Sequence, residues 1–213
     1  MDSTKAIRYR GVRNKMRLRL WRRLTTKRCG PGRHPKMVAV DLKSVVSRLS
    51  DTGRRQLEAA AGLTLSRSHY NVEIEHFLLK LVETQGSDVA TILRKQGIDA
   101  GQAAAQLNRA LDKLRSGNAR APALSPDIVS WLREAWLIAS LEAGATHIRS
   151  GHMLAALLAD ETLSRTMRES CPALSAVPVD AVRKNLADVA AGSDEANQAE
   201  AAPGGGTAGT TAA

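Results

Sequence analysis

Tyr70–Glu83 reads YNVEIEHFLLKLVE, with Ile74, Phe77, Leu78, Leu81 and Val82 at i, i+3, i+4, i+7 and i+8. That spacing puts all five on one stripe of an α-helix facing a core. About 76 residues later His147–Ala159 reads HIRSGHMLAALLA, where Ser150, Met153, Leu154, Leu157 and Leu158 take the same slots. Val72 matches Ile148 and His76 matches His152, while Ile74 gives way to Ser150. A repeat at this distance is long for a solenoid and reads as a duplicated multi-helix unit.

Helical patterns flank both copies. Before the first, Asp41 caps a short amphipathic helix, Asp41–Leu49, with Leu42, Val45, Val46 and Leu49 on one side. Ser50 caps a helix over about 51–68, with Leu57, Ala60, Ala61 and Leu65 inward. After Gly86, Ser87 caps a helix carrying Val89, Ile92 and Leu93, ended by Gly97, and Asp99 caps another over 100–115. Repeat one therefore spans 50–115, a polar linker 116–125, and repeat two 126–190. Ser125–Pro126 is a strong helix start, since proline there leaves no amide unpaired. The helix it opens, Asp127–Ala143, is apolar around most of its circumference, so it is either the most buried helix or one whose side forms an apolar groove. Helices over 161–170 and about 179–190 close the unit, which makes the fold all-α.

Aromatic residues make up 3% of the chain and Ala and Leu do most of the filling, which favours helix over strand. No run of 18 apolar residues exists to span a membrane. Cys29 and Cys171 lie outside any metal spacing, and free thiols in a reducing, cytoplasmic compartment are the expectation. The net charge of +10 is uneven: residues 1–36 hold 13 Lys and Arg against Asp2, whereas 37–213 hold 18 against 20 acids. The basic arm reads in three ways: a nucleic-acid-binding arm, a targeting peptide whose apolar region arginines interrupt, or sequence upstream of a true start at Met37. Residues 192–213, rich in Gly and Ala, read as a flexible linker, which suggests a module cut from a larger protein.

Catalytic signatures are missing. The chain contains no GxxxxGK[ST], no HExxH, no GxSxG and no Cys-x-x-Cys. His76 and His152 open equivalent helices, either as a metal or acid–base pair or as a polar position inherited with the duplication. Duplication favours the second, because a catalytic pair rarely survives as two copies in corresponding places. Glu73 and Glu75 are two apart, point in different directions on a helix and make a poor acid–base pair. What remains is a binding surface. The helix 41–49 is its candidate wall, or else a capping helix over the first repeat's core, and an amphipathic helix is the fitting guest.

NVEIEHFLLKLVE, RRQLEAAAGLTLSRSHY, GNARAPALSPDIVSWLREAW and ASLEAGATHIRSGHMLAALLADETL resemble the Clp N-terminal (Clp repeat) domain, and within it the ClpV (TssH) family of type VI secretion ATPases. The likeness covers about 38–191 and includes the extra helix before the first repeat. It implies a duplicated four-helix domain that recruits the contracted secretion sheath, taking an N-terminal helix of the large sheath subunit into an apolar groove. AAA+ rings would then disassemble the sheath with ATP. Carried onto this sequence, the groove would use Leu42, Val45, Val46 and Leu49 beside a wall of the first repeat. The core would use Ile74, Phe77, Leu78 and Leu81 with Met153, Leu154, Leu157 and Leu158. No cofactor, metal or catalytic residue is expected in this chain, which has no ring motifs. It is expected to be a monomer, the hexamer belonging to the full-length family. A nucleic-acid-binding protein acting through the arm and a generic chaperone or adaptor domain are the alternatives.

Overall fold

Helix α1 is Leu42–Ser47, α2 Asp51–Ser66, α3 Ile74–Glu83, α4 Asp88–Lys95 and α5 Ala100–Leu111. These come from a computed structural model describing residues 42–201; the basic arm, the Asp41 cap and residues 202–213 lie outside the described residues. The second half is α6 Pro126–Leu137, continued by a π-helical turn Ile138–Glu142, then α7 Ser150–Ala159 and α8 Glu161–Ser170. A 3-10 turn, Pro172–Ala176, leads to α9 Val179–Lys184, α10 Leu186–Val189 and α11 Asp194–Ala201.

The caps predicted from sequence are in place. Ser50, Ser87 and Ser125 each accept the amide of the third residue after them, from Gly53, Ala90 and Ile128, and Asp99 accepts that of Gly101. The two organising helices, α3 and α7, sit at the centre of one shared core. Ile74, Phe77, Leu78, Leu81, Met153, Leu154, Leu157 and Leu158 are all buried in it. Ser150, in the slot where Ile74 stands, is buried too and receives the amide of Val89.

The halves are joined by a contact that each makes with the other. Two-residue strands β1, Asn71–Val72, and β2, Ala123–Leu124, pair in parallel, and Leu49 bridges Ile148 in the same sense. The Ser125 amide donates to the Val72 carbonyl at 3.0 Å and the Ser50 amide donates to the Ile148 carbonyl at 2.9 Å. Each repeat thus hangs the start of its first helix on the approach to the other's second helix, a pseudo-two-fold arrangement. From Ser50 to Val72 the chain is one residue shorter than from Ser125 to Ile148, and the π-helical turn takes up that extra residue.

Several expectations change. The helix expected over 100–115 stops at Leu111, and that over 179–190 breaks at Asn185. Leu65, expected inward, is exposed. Val45, Val46 and Leu49 are buried, so the predicted groove residues of α1 are mostly inside. Moreover α1 packs on α6 of repeat two, where a first-repeat wall was expected. Residues 194–201 form α11, with Glu195 and Ala196 buried, so the flexible linker expected from 192 is a docked helix as far as 201. Helix α6 is not the most enclosed; α7 is, with every residue from Ser150 to Leu158 buried.

Candidate functional site

The histidines turn out to be caps. His76 Nδ1 accepts the Glu73 amide at 3.0 Å and His152 Nδ1 accepts the Arg149 amide at 3.1 Å. With Nδ1 accepting, His76 carries its proton on Nε2 and donates it to His69 Nδ1, 2.8 Å away. Burial drives both His76 and His152 down to about 4, from an ordinary value of 6.5, helped by His69 and by Arg149 respectively. They are neutral imidazoles filling the donor needs of two helix starts. Glu75 is likewise accounted for, accepting from Ser170 Oγ at 2.8 Å.

The exposed apolar surface lies elsewhere. Helix α6 buries Ile128, Trp131, Leu132 and Ala135, and Trp131 Nε1 donates to the Met153 carbonyl at 2.6 Å. Its other side carries Trp136, half-buried, and Leu137, 46% exposed, with Leu141 of the π turn 78% exposed. Helix α1 lies alongside, bringing the half-buried Leu42 and placing the Arg48 guanidinium 5.2 Å from the centre of the Trp136 ring. Val45, Val46 and Leu49 hold α1 down from beneath. Leu42 is therefore the one predicted groove residue that keeps accessible surface, on a helix that packs against repeat two.

Comparison of the two repeats shows why this face differs. Counting from the caps Ser50 and Ser125, Trp136 and Leu137 stand where α2 has Ala61 and Gly62. Elsewhere the two helices agree: Leu57 and Ala60 are buried, as are Leu132 and Ala135 in the matching places. Helix α2 instead turns Asp51, Arg54, Arg55 and Glu58 outward, and Arg54 pairs with Asp51. Where α1 covers α6, the loop 116–122 covers the end of α2, with Asn118 bonded to the Ser68 and His69 carbonyls. Helix α1 and the α6 stripe thus form an apolar face on repeat two, while the exposed large apolar residues of repeat one are Leu65 and Tyr70. A register comparison of the repeats, in which two bulky side chains replace Ala and Gly, is the signal that finds Trp136 and Leu137 in the sequence.

The model of the Clp repeat (R) N-terminal domain matches residues 48–170. The chain belongs to that family. This Clp repeat domain is 28% identical over 162 residues, 76% of its length, to the chaperone protein ClpB of Yersinia enterocolitica. It is 24% identical over 159 residues, 75% of its length, to the AAA+ ATPase ClpV1 of Pseudomonas aeruginosa. The chain spans 18% of the length of each of these two relatives. Its fold is similar to that of a ClpV N-domain solved in complex with a VipB peptide, with a TM-score of 0.66 and 26% identity, covering 76% of this chain and 99% of that one. Among the described residues, no helix of the Clp repeat domain is long and apolar enough to cross a membrane.

Proposed function

We propose that this Clp repeat domain recruits substrate for a type VI secretion unfoldase of the ClpV kind, and that the α1–α6 face holds an amphipathic helix of the large sheath subunit. The observation that carries the reading is the broken symmetry. Trp136 and Leu137 stand where repeat one has Ala61 and Gly62, Leu137 is exposed beside the partly covered Trp136, and Leu141 extends the stripe. Leu42 supplies the facing edge, while Val45, Val46 and Leu49 fix the position of α1 from within. A guest helix would meet this face with side chains at i, i+3, i+4 and i+7. The peptide complex of the related ClpV N-domain supports the class of guest. In this reading ATP-driven threading belongs to AAA+ rings, and residues 42–201 supply recognition alone, in the cytoplasm.

Fluorescence anisotropy with a labelled N-terminal helix peptide of the large sheath subunit tests it. Binding is expected in the micromolar range, on the order of −7 to −8 kcal/mol. Leu137→Asp and Leu141→Asp should each weaken it at least tenfold. Leu65→Asp, an equally exposed leucine on repeat one, should leave it unchanged. Unaltered affinity in Leu137→Asp contradicts the placement, and equal affinity for a scrambled peptide favours a general chaperone domain.

A further inference from the structure

The end of the described chain supplies something that the second repeat lacks. In repeat one the N-cap of α3 is Glu73, whose half-buried carboxylate is hydrogen-bonded by Ser125 and Asn71. The equivalent position in repeat two is Arg149, whose side chain has no acceptor. Its guanidinium turns instead to Asp88, with Nε at 2.9 Å and Nη2 at 2.8 Å from the two carboxylate oxygens. The capping carboxylate comes from Glu195, 45 residues beyond Ser150. Glu195 accepts from Ser50 Oγ at 2.6 Å, from the Asp88 amide at 3.0 Å, and from the amide (3.2 Å) and hydroxyl of Ser150. One buried carboxylate therefore closes the N-termini of α2, α4 and α7 together, as Glu73 closes the other end of the pseudo-two-fold.

The segment that brings Glu195 there is lightly attached in every other respect. Ala190 and Ala196 are its buried apolar residues, while 191, 192, 194 and 197–199 are exposed. Ser193 donates to Asp88 and caps the Ala196 amide, and the Asp194 amide donates to the Gly86 carbonyl at 2.8 Å. Burial and the neighbouring Asp88 push the Glu195 carboxyl up, which offsets part of what its hydrogen bonds contribute. Anchored by polar contacts with almost no apolar area, such a segment opens at a lower free energy than the core it rests on.

We propose that residues 190–201 are a releasable strap, seated by Glu195 in a carboxylate socket of Ser50, Asp88 and Ser150, and that the strap opens as a unit while both repeats stay folded. Docked, it fixes where the chain leaves the domain, beside the start of α2. Released, its dozen residues add roughly 40 Å of reach between the domain and residues beyond 201. The strap is thus an adjustable tether whose catch is one carboxylate.

Hydrogen–deuterium exchange on the full chain, wild type and Glu195→Gln, tests this. In the wild type, residues 190–201 should exchange at least tenfold faster than α3 and α7. Glu195→Gln should speed exchange of the strap and of the Asp88 and Ser150 amides at least tenfold again, leaving Ile74–Glu83 unchanged. A strap that exchanges at the same rate as α3 and α7 in the wild type overturns the proposal, whether or not the variant folds. So do Asp88 and Ser150 amides that keep their protection in Glu195→Gln.

Discussion

His76 and His152 make the same hydrogen bond in the two halves, each taking on Nδ1 the amide three residues before it, at 3.0 and 3.1 Å. Both rings are buried, and both are held neutral down to about pH 4. The duplication has preserved a cap whose function depends on an unprotonated imidazole.

Acid should therefore destabilise the domain. In the unfolded chain these histidines protonate near 6.5, whereas in the folded domain they do so near 4. Between those values the unfolded state binds more protons, so the stabilisation is complete above about pH 6.5 and is lost as pH falls towards 4. The loss should reach up to about 3 kcal/mol for each histidine. Urea unfolding at pH 7, 5.5 and 4 measures it. In His152→Gln, where an amide keeps the cap without titrating, the part of the pH dependence that belongs to His152 should disappear.

Trp131 ties α6 to both organising helices. It packs edge-on against Phe77, with ring centres 5.5 Å apart, and donates to the Met153 carbonyl. Trp131→Phe should cost about 1–3 kcal/mol, because it removes a buried hydrogen bond from the indole to the Met153 carbonyl. Trp131→Ala should cost about 3–5 kcal/mol by adding a cavity. Denaturant midpoints of the two variants give the difference.

Gly151 lies directly under Leu186, where a Cβ would collide with the leucine side chain. Gly151→Ala should destabilise by about 1–3 kcal/mol through overpacking of α10 against α7. On a Leu186→Ala background the same change should cost much less. The double-mutant cycle reads that coupling directly.

The Asp88–Arg149 ion pair is buried at the junction of the repeats, with the carboxylate wholly inaccessible. Removing one partner should cost more than its surface counterparts do. Arg149→Met is expected to lose about 3–5 kcal/mol by stranding Asp88 beside Glu195. By contrast, Lys80→Met, which breaks a part-exposed pair with Glu83, should change stability by under about 1 kcal/mol. Thermal melts of both variants at neutral pH compare them.

Much of this fold was legible in the sequence, for definite physical reasons. The apolar stripe of Ile74, Phe77, Leu78 and Leu81, its echo at Met153, Leu154, Leu157 and Leu158, and the serine caps are local signals, and each lies where the spacing puts it. Contacts between distant segments were not legible. Strands β1 and β2 are two residues each, too short for alternation to register. The burial of Val45, Val46 and Leu49 against repeat two depends on the crossing of Leu49 with Ile148, which no periodicity encodes. Helix α11 lacks bulky apolar residues, so composition made it look like linker. The Ser193 cap followed by Asp194 and Glu195 was nevertheless a helix start in plain sequence. The candidate face was half legible: excess apolar residues on 127–143 pointed to a groove, but only the register against Ala61 and Gly62 separates exposed Leu137 and half-buried Trp136 from the fully buried residues of the helix.

Titration of isotopically labelled domain with the sheath-subunit peptide, followed by amide chemical shifts, tests the central claim most directly. The shifts should concentrate on α1, α6 and the turn Ile138–Glu142, with Trp136 and Leu141 among the largest, while Arg54–Glu58 on α2 stays still. Shifts centred on α2 or spread evenly over both repeats would contradict a recognition face built on the second repeat alone.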